Sequence, residues 1–193
     1  MKSERYPSAD FPSCYGHFRI YAIKEGEKEH VALVRGDISG ARDLAVRMHS
    51  QCLTGDTLGS LRCDCGIQLI DALQYLGEQE TGVLFYLNHE GRGIGLFNKI
   101  RAYSLQDDGA DTVEANHQLG FKNDLRDYSV VADFLNYFDV RSVRLITNNP
   151  LKVEGLEING IDISGRVPLI VAPNEHNSFY LETKRDKMNH YLG

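Results

Sequence analysis

Three of the chain's four cysteines, Cys52, Cys63 and Cys65, fall close together at the spacing Cys-x10-Cys-x-Cys in the stretch "CLTGDTLGSLRCDC". Thiolate is a strong zinc ligand, and three protein ligands leave one coordination position open for water, which is the arrangement of a catalytic centre. A closed structural site needs a fourth ligand. The sequence has no second pair of closely spaced cysteines, so His49 or His117 could supply it. Redox use fits less well, because Cys63-Asp64-Cys65 is not a Cys-x-x-Cys pair and a disulfide across one residue would be strained. Cys14 stands apart and reads as a small core residue or an incidental thiol.

Four further groups carry chemistry by type and spacing. In "NHEGRGIG" the glycines allow backbone N–H groups to approach an anion. Arg92 can grip phosphate with two N–H groups, and Glu90 can hold a cation or a guanidine-like edge. The stretch is neither a Walker loop nor a dinucleotide fingerprint, and glycine-rich turns from strand to helix are also common structural features. In "NKIRAY" Lys99 and Tyr103 share one helical face while Arg101 points elsewhere. In "NDLRDY" Asp124 could accept a proton and Arg126 could meet phosphate, although a capping Asp beside surface charge reads the same way. In "TNNPLK" Thr147 and Lys152 flank a junction between strand and helix, where α/β proteins bind ligands, and an Asn-capped turn is the plainer reading.

The elements that must position these groups follow from hydrophobic periodicity. "YGHFRIYAI" and "EHVALVRGDI" predict strands. "DLAVRMHS" alternates Leu44, Val46 and Met48 against Arg47 and His49, which puts the last two on one face. A helix is predicted from Gly66, with Leu69, Ile70, Leu73 and Leu76 at helical spacing and Gly77 near its stop. "GVLFYL" reads as a buried strand, "LFNKIRAYSLQDD" as a helix, and Asp111 with Glu114 as a capping box opening another. "RDYSVVADFLNYF", "NNPLKVEGLEING" and the terminal "NEHNSFYLETKRDKMNHYL" predict helices, with "SVRLIT" and "RVPLIV" as strands between them. Leading strands followed by alternation predict an α/β (α+β) fold, a single domain over 1–193 with a mixed sheet flanked by helices.

Composition agrees with that picture and excludes others. At 193 residues, 42% hydrophobic and 25% charged, the chain can bury a sizeable core. A net charge of -6 argues against wrapping nucleic acid, and a few local arginines still suffice for an anionic small molecule. No apolar run approaches the ~20 residues of a membrane span, and "MKSERYPSADF" lacks the apolar stretch of a signal peptide, so a cytoplasmic protein is expected.

Taken together, "HSQCLTGDTLGSLRCDCG", "HEGRGIGLFNKIRAYSLQDDGADTVEANHQLGF", "DLRDY" and "TNNPLKVEGLE" followed by "RVPL" resemble the GTP cyclohydrolase II family of riboflavin biosynthesis, in a stand-alone form. The resemblance implies zinc on Cys52, Cys63 and Cys65. It implies GTP binding by Arg47, Met48, His49, Ser50 and Gln51, and by Gln68, Glu90, Gly91, Arg92, Thr112, Thr147 and Lys152. Asp124 matches the family's proton acceptor, Arg126 its nucleophile towards the α-phosphorus, and Tyr103 the tyrosine beside the ring that opens. Mg2+ on the triphosphate and a homodimer are implied as well. The implied reaction releases pyrophosphate and formate from GTP and leaves a diaminopyrimidinone ribosylamine phosphate. Two positions depart from the family's usual pattern: Gln51 stands where glutamate is usual, and His89 where glutamine is frequent. They keep open a divergent relative that acts on another purine nucleotide or releases only pyrophosphate. A non-catalytic module stabilised by four-coordinate zinc is the other alternative.

Overall fold

The computed structural model describes residues 5–121 and 126–191. Among them, one sheet contains β1 (Ser8–Ser13), β2 (Gly16–Glu25), β3 (Lys28–Arg35), β4 (Leu44–Ser50), β5 (Gly82–Leu87), β6 (Val143–Ile146) and β7 (Ile163–Val167). The helices are α1 (Leu53–Asp56), α2 (Cys65–Gly77), α3 (Gly95–Asp107), α4 (Thr112–Gln118), α5 (Ser129–Tyr137), α6 (Pro150–Ile158) and α7 (Ser178–Met188). Spatial strand order is β1-β2-β3-β5-β4-β6-β7. The pairings from β1 to β5 are antiparallel, and β5, β4, β6 and β7 run parallel, so the sheet is mixed as the order of elements predicts.

β4 lies inside the sheet with both faces covered, which is why six of its seven residues are buried. The alternation in its sequence is obeyed. Val46 and Met48 enter a core with Val83, Phe85 and Leu87 of β5 and Val131, Phe134 and Leu135 of α5. Phe134 is the centre of that layer, with the rings of Tyr6, Tyr21, Phe85 and Phe138 at 5.0–5.4 Å, edge-on or tilted against it. On the opposite face Ala45, Leu84 and Ile146 pack against Phe18 and against Ala72 and Leu76 of α2. Arg47 and His49 emerge on this second face.

Three local features differ from the sequence reading. The segment before β2 is itself a strand, β1, whose Pro12 is tolerated because β1 is an edge. A single turn of helix, α1, interrupts the cysteine stretch. The last strand starts at Ile163 and ends at Val167 rather than covering "RVPLIV", because Pro168 has no N–H to continue the ladder. Beyond it the Asn148 side chain replaces a strand partner, accepting from Leu169 N at 3.0 Å and donating to Leu169 O at 2.6 Å.

α2 ends at Gly77 for a packing reason. A Cβ at Gly77 would lie 1.8 Å from the Tyr15 carbonyl oxygen in the turn between β1 and β2. Gly77→Ala should therefore lower the unfolding free energy by about 1–3 kcal/mol through overpacking, against a helix-propensity gain of ~1 kcal/mol. Denaturant melts of the two proteins check this, and an unchanged midpoint would mean that the turn yields freely.

Candidate active site

The parallel strands β5, β4 and β6 are adjacent, and their carboxyl ends open on one side. The chain leaves β4 through Ser50-Gln51-Cys52, leaves β5 through Asn88-His89-Glu90, and leaves β6 through Thr147-Asn148. Ligand sites form at such ends because the connecting segments diverge there. A cleft with a cavity volume of about 160 Å³ lies among them. Its lining includes Arg47, His49, Ser50, Gln51, Gln68, Glu90, Gly91, Arg92, Tyr103, Thr112, Arg126, Thr147 and Lys152, together with Cys52 and Cys65. Residues that the sequence scatters over a hundred positions thus meet. Two do not line it: Cys63, although it belongs to the sulfur cluster, and Met48, which points into the opposite core and offers only its carbonyl to Lys152 Nζ at 2.6 Å. Asp124 lies outside the described residues.

The three cysteine sulfurs lie within 4.8 Å of one another, with Cys52 and Cys63 3.7 Å apart. Zinc bonded to sulfur at ~2.3 Å in a tetrahedron separates its sulfurs by roughly 3.8 Å, so the donor set fits that metal. Charge tells the same story. Hydrogen bonds from Cys63 and Cys65 hold Cys52 far below the usual thiol range. The converse pushes Cys63 up to about 11 and Cys65 well above its ordinary value. One thiolate is accommodated by the protein, and three require a cation. Gly55 of α1 makes room: a Cβ there would stand 2.9 Å from Cys63 Sγ and 3.2 Å from Cys52 Sγ.

Neither histidine weighed as a fourth ligand joins the cluster. His117 is exposed on α4. His49 Nε2 lies 3.0 and 3.1 Å from the two oxygens of Asp56, so Nε2 is an N–H donor, and burial lowers the pKa of the ring. Asp56 also accepts from Cys52 N and Tyr86 OH, both at 2.9 Å. It thereby ties β4, β5 and α1 together. A side-chain nitrogen that does reach the cluster is Lys99 Nζ, 3.1 Å from Cys52 Sγ. Burial works to discharge Lys99, but its 2.7 Å hydrogen bond to Glu90 and its position beside Cys52 outweigh that and raise its pKa. Glu90 is committed on its other oxygen as well, accepting from Leu53 N at 2.7 Å, and so anchors α1 rather than facing the cleft as a free acid.

Around the cleft the polar groups are aimed and supported. Arg47, fully buried and pulled down to about 10 by desolvation, donates to Ile146 O at 3.0 Å and to Gln68 Oε1 at 2.8 Å. Arg92 occupies the left-handed region at φ 62°, and its Nη1 is buried with no partner among the described residues. An arginine held in strained backbone with an unused donor is prepared for an oxygen from a ligand. Arg126 Nη1 donates to Ser50 Oγ at 3.1 Å. Tyr103 OH is 3.3 Å from Thr54 Oγ1, its pKa raised by burial, with the Arg62 guanidinium 4.6 Å from its ring centre. Thr112 opens α4 beside Asp111, whose capping box with Glu114 forms as the spacing predicts. Thr147 precedes α6, which starts at the Asn149 cap.

The model of the GTP cyclohydrolase II family matches residues 4–168. The chain belongs to that family. A GTP cyclohydrolase-2 of Picrophilus torridus is 53% identical over 97% of this chain and 98% of its own length. One of Citrobacter koseri is 54% identical over the whole of both chains. The riboflavin biosynthesis protein RibBA of Chlorobium phaeovibrioides is 54% identical over 98% of this chain but 47% of its own. Membership of the GTP cyclohydrolase II family accords with a cleft that joins a thiolate cluster to several cations. No described helix is long and apolar enough to cross a membrane.

Several cleft residues went unnoticed in the sequence. Asn116, Asn148, Tyr180, Lys184 and His190 all line it, and Asp56 and Asp64 brace it. Asp56 had a signal, since a Gly-Asp follows the first cysteine. The residues of α7 had none beyond mixed charge.

Two outcomes follow from the site. Gly55→Ala should reduce the metal retained after dialysis well below the about one ion per chain that a three-thiolate site holds. Elemental mass spectrometry reads this, with Cys14→Ser, far from the cluster, keeping full occupancy. The second concerns acid. Burial, then the cations around it, lower His89 to about 4, so its folded pKa lies below the unfolded value. Its contribution is complete above pH ~6.5 and is lost as pH falls towards 4, a difference on the order of 2 kcal/mol at pH 5. Urea unfolding at pH 7.5 and 5.0 should show that loss, and His89→Gln should shrink it.

Proposed function

We propose that the chain is a zinc-dependent GTP cyclohydrolase II that opens the imidazole ring of GTP at C8, releasing formate and pyrophosphate. The observation that carries this reading is one cleft in which Cys52 and Cys65, of a three-sulfur cluster that fits zinc, lie with Arg92, with its unused buried donor, and with Arg126 and Lys152. Cys52, Cys63 and Cys65 would hold the metal. When bound, zinc supplies Lewis acidity, bringing the pKa of water towards ~7 so that a nucleophile is available at neutral pH.

The remaining work falls to the chain. Arg92, Arg126 and Lys152 neutralise the triphosphate, and Mg2+ enters with it as part of the substrate. Arg47, His49, Ser50, Gln51 and Gln68 on one side, and Glu90, Gly91, Thr112 and Thr147 on the others, surround the nucleoside. His49 keeps its Nδ1 as an acceptor because Nε2 is engaged by Asp56. Lys99 and Tyr103 stand over the ring-opening end. Burial keeps the Tyr103 phenol protonated, so it can donate to the developing charge on the opened ring. Asp124 is the proton acceptor, and Arg126 meets the α-phosphate. Hydrolysis consumes two waters at C8, one to open the ring and one to free formate from the resulting formamide, and one water at the α-phosphorus, so C–N and P–O bonds break in one site.

The protein acts as one catalytic domain over 1–193, as a homodimer in the cytoplasm and with no nucleic-acid partner. The exposed apolar side chains Leu58, Leu61, Phe97 and Ile100, on segments flanking the cluster, favour a second copy. The net charge of -6 disfavours nucleic acid.

Incubation of zinc-loaded protein with GTP and Mg2+ should release formate and pyrophosphate in equal amounts, read by formate dehydrogenase coupling and by phosphate release after pyrophosphatase. Pyrophosphate without formate would overturn the full reaction. It would favour the second reading, a divergent relative, for which the neutral Gln51 at the cleft is the motive.

A further inference from the structure

Helix α7 begins ten residues after the family model ends at residue 168, yet Tyr180, Lys184 and His190 line the cleft. It is not seated there by an apolar face. Phe179 is 60% exposed, and the buried residues of α7 are Thr183 and Lys184. Polar ties hold it instead, and each lands on a wall of the site. Lys187 donates to Asp111, the cap of α4 beside Thr112, and to Glu114 at 3.2 Å. Tyr191 N donates to Asn148 O at 2.9 Å, next to Thr147. Lys184 Nζ donates to Asp64 Oδ1 at 2.7 Å, and Asp64 is the residue between two cysteines of the cluster.

The third tie continues inward. Asp64 Oδ2 accepts from Gln68 Nε2, and Gln68 Oε1 accepts from Arg47 Nη2 at 2.8 Å. An amide turned over would set its N–H groups against Arg47 and its oxygen against Asp64, so the two neighbours dictate its orientation. Asp64 can act so only while its own charge is balanced, and Lys184, buried like Asp64, is the cation that does it. The Tyr180 ring lies 4.4 Å from that ammonium and shields it.

We propose that Lys184 is a positioning residue for the nucleotide site: its ion pair with Asp64 fixes the Gln68 amide, and α7 is thereby a working wall of the cleft. The inference rests on the reading of the cleft as a GTP site.

Steady-state kinetics with GTP on the zinc-loaded full chain tests it. Lys184→Met should raise KM roughly tenfold with little change in kcat, the signature of lost uniform binding, and Lys184→Arg should recover most of it. A merely structural role would instead reduce the active fraction, lowering kcat at constant KM. In a Gln68→Ala background, Lys184→Met should add little to KM, because the group it positions is gone. A KM within about twofold of the parent, a fall in kcat alone, or multiplying effects of the two substitutions would each overturn the proposal. Should Lys184→Met fail to fold, hydrogen exchange of the unaltered protein decides. Amides of 179–188 should slow roughly fivefold when a non-hydrolysable GTP analogue fills the cleft, and unchanged exchange overturns the proposal. A parent that releases no formate overturns the GTP reading along with it, whereas an active parent indifferent to Lys184 sinks this inference alone.

Discussion

Three sulfurs confined within 4.8 Å of one another cannot all be ionised in a protein interior without compensating charge, and the surrounding architecture answers that constraint. The N-terminus of α2 begins at Cys65, so the helix dipole faces the cluster. Two buried ion pairs bracket it, Lys99 with Glu90 on one side and Lys184 with Asp64 on the other. Each acid also serves the backbone or a side chain of the site, so neither cation is idle. Buried charge of this density is costly, and it is tolerated because both ion pairs are also hydrogen-bonded to the site around them.

The mixed sheet lets one strand serve two purposes. β4 gives Val46 and Met48 to the larger core and Arg47 and His49 to the cleft. The antiparallel strands β1 to β3 extend the sheet away from the site, while the parallel set points three carboxyl ends at it. Asp56 then locks the arrangement, receiving donors from β4, from β5 and from the start of the cysteine loop. The site is therefore rigid where it meets the sheet, and its outer walls are helices tied by polar contacts.

Much of this was legible in the sequence, and the exceptions have physical reasons. The cysteine spacing, the alternation in β4, the capping box at Asp111 and the Asn-Pro start of α6 are local patterns, and local patterns survive folding. Met48 belongs with its neighbours by position in the motif, but period two sends it to the opposite face. Glu90 reads as a free carboxylate until Leu53 N and Lys99 are brought to it from elsewhere in the chain. Asp64 and Lys184 look like solvated charges in isolation. Only the fold makes them a pair. β1 escaped because a proline within a short polar stretch argues against a strand unless that strand is an edge.

The link between Asp64 and Lys184 spans 120 residues of sequence. During synthesis the cysteines, the sheet and the first six helices all precede the lysine that balances Asp64. A nascent chain can thus gather its sulfurs early, while the buried acid between them waits for a lysine made 120 residues later. Closing so long a loop costs little more entropy than closing the one between β4 and β6, where Leu44 pairs with Val143, so it is the order of synthesis that makes the polar clasp available only after the sheet.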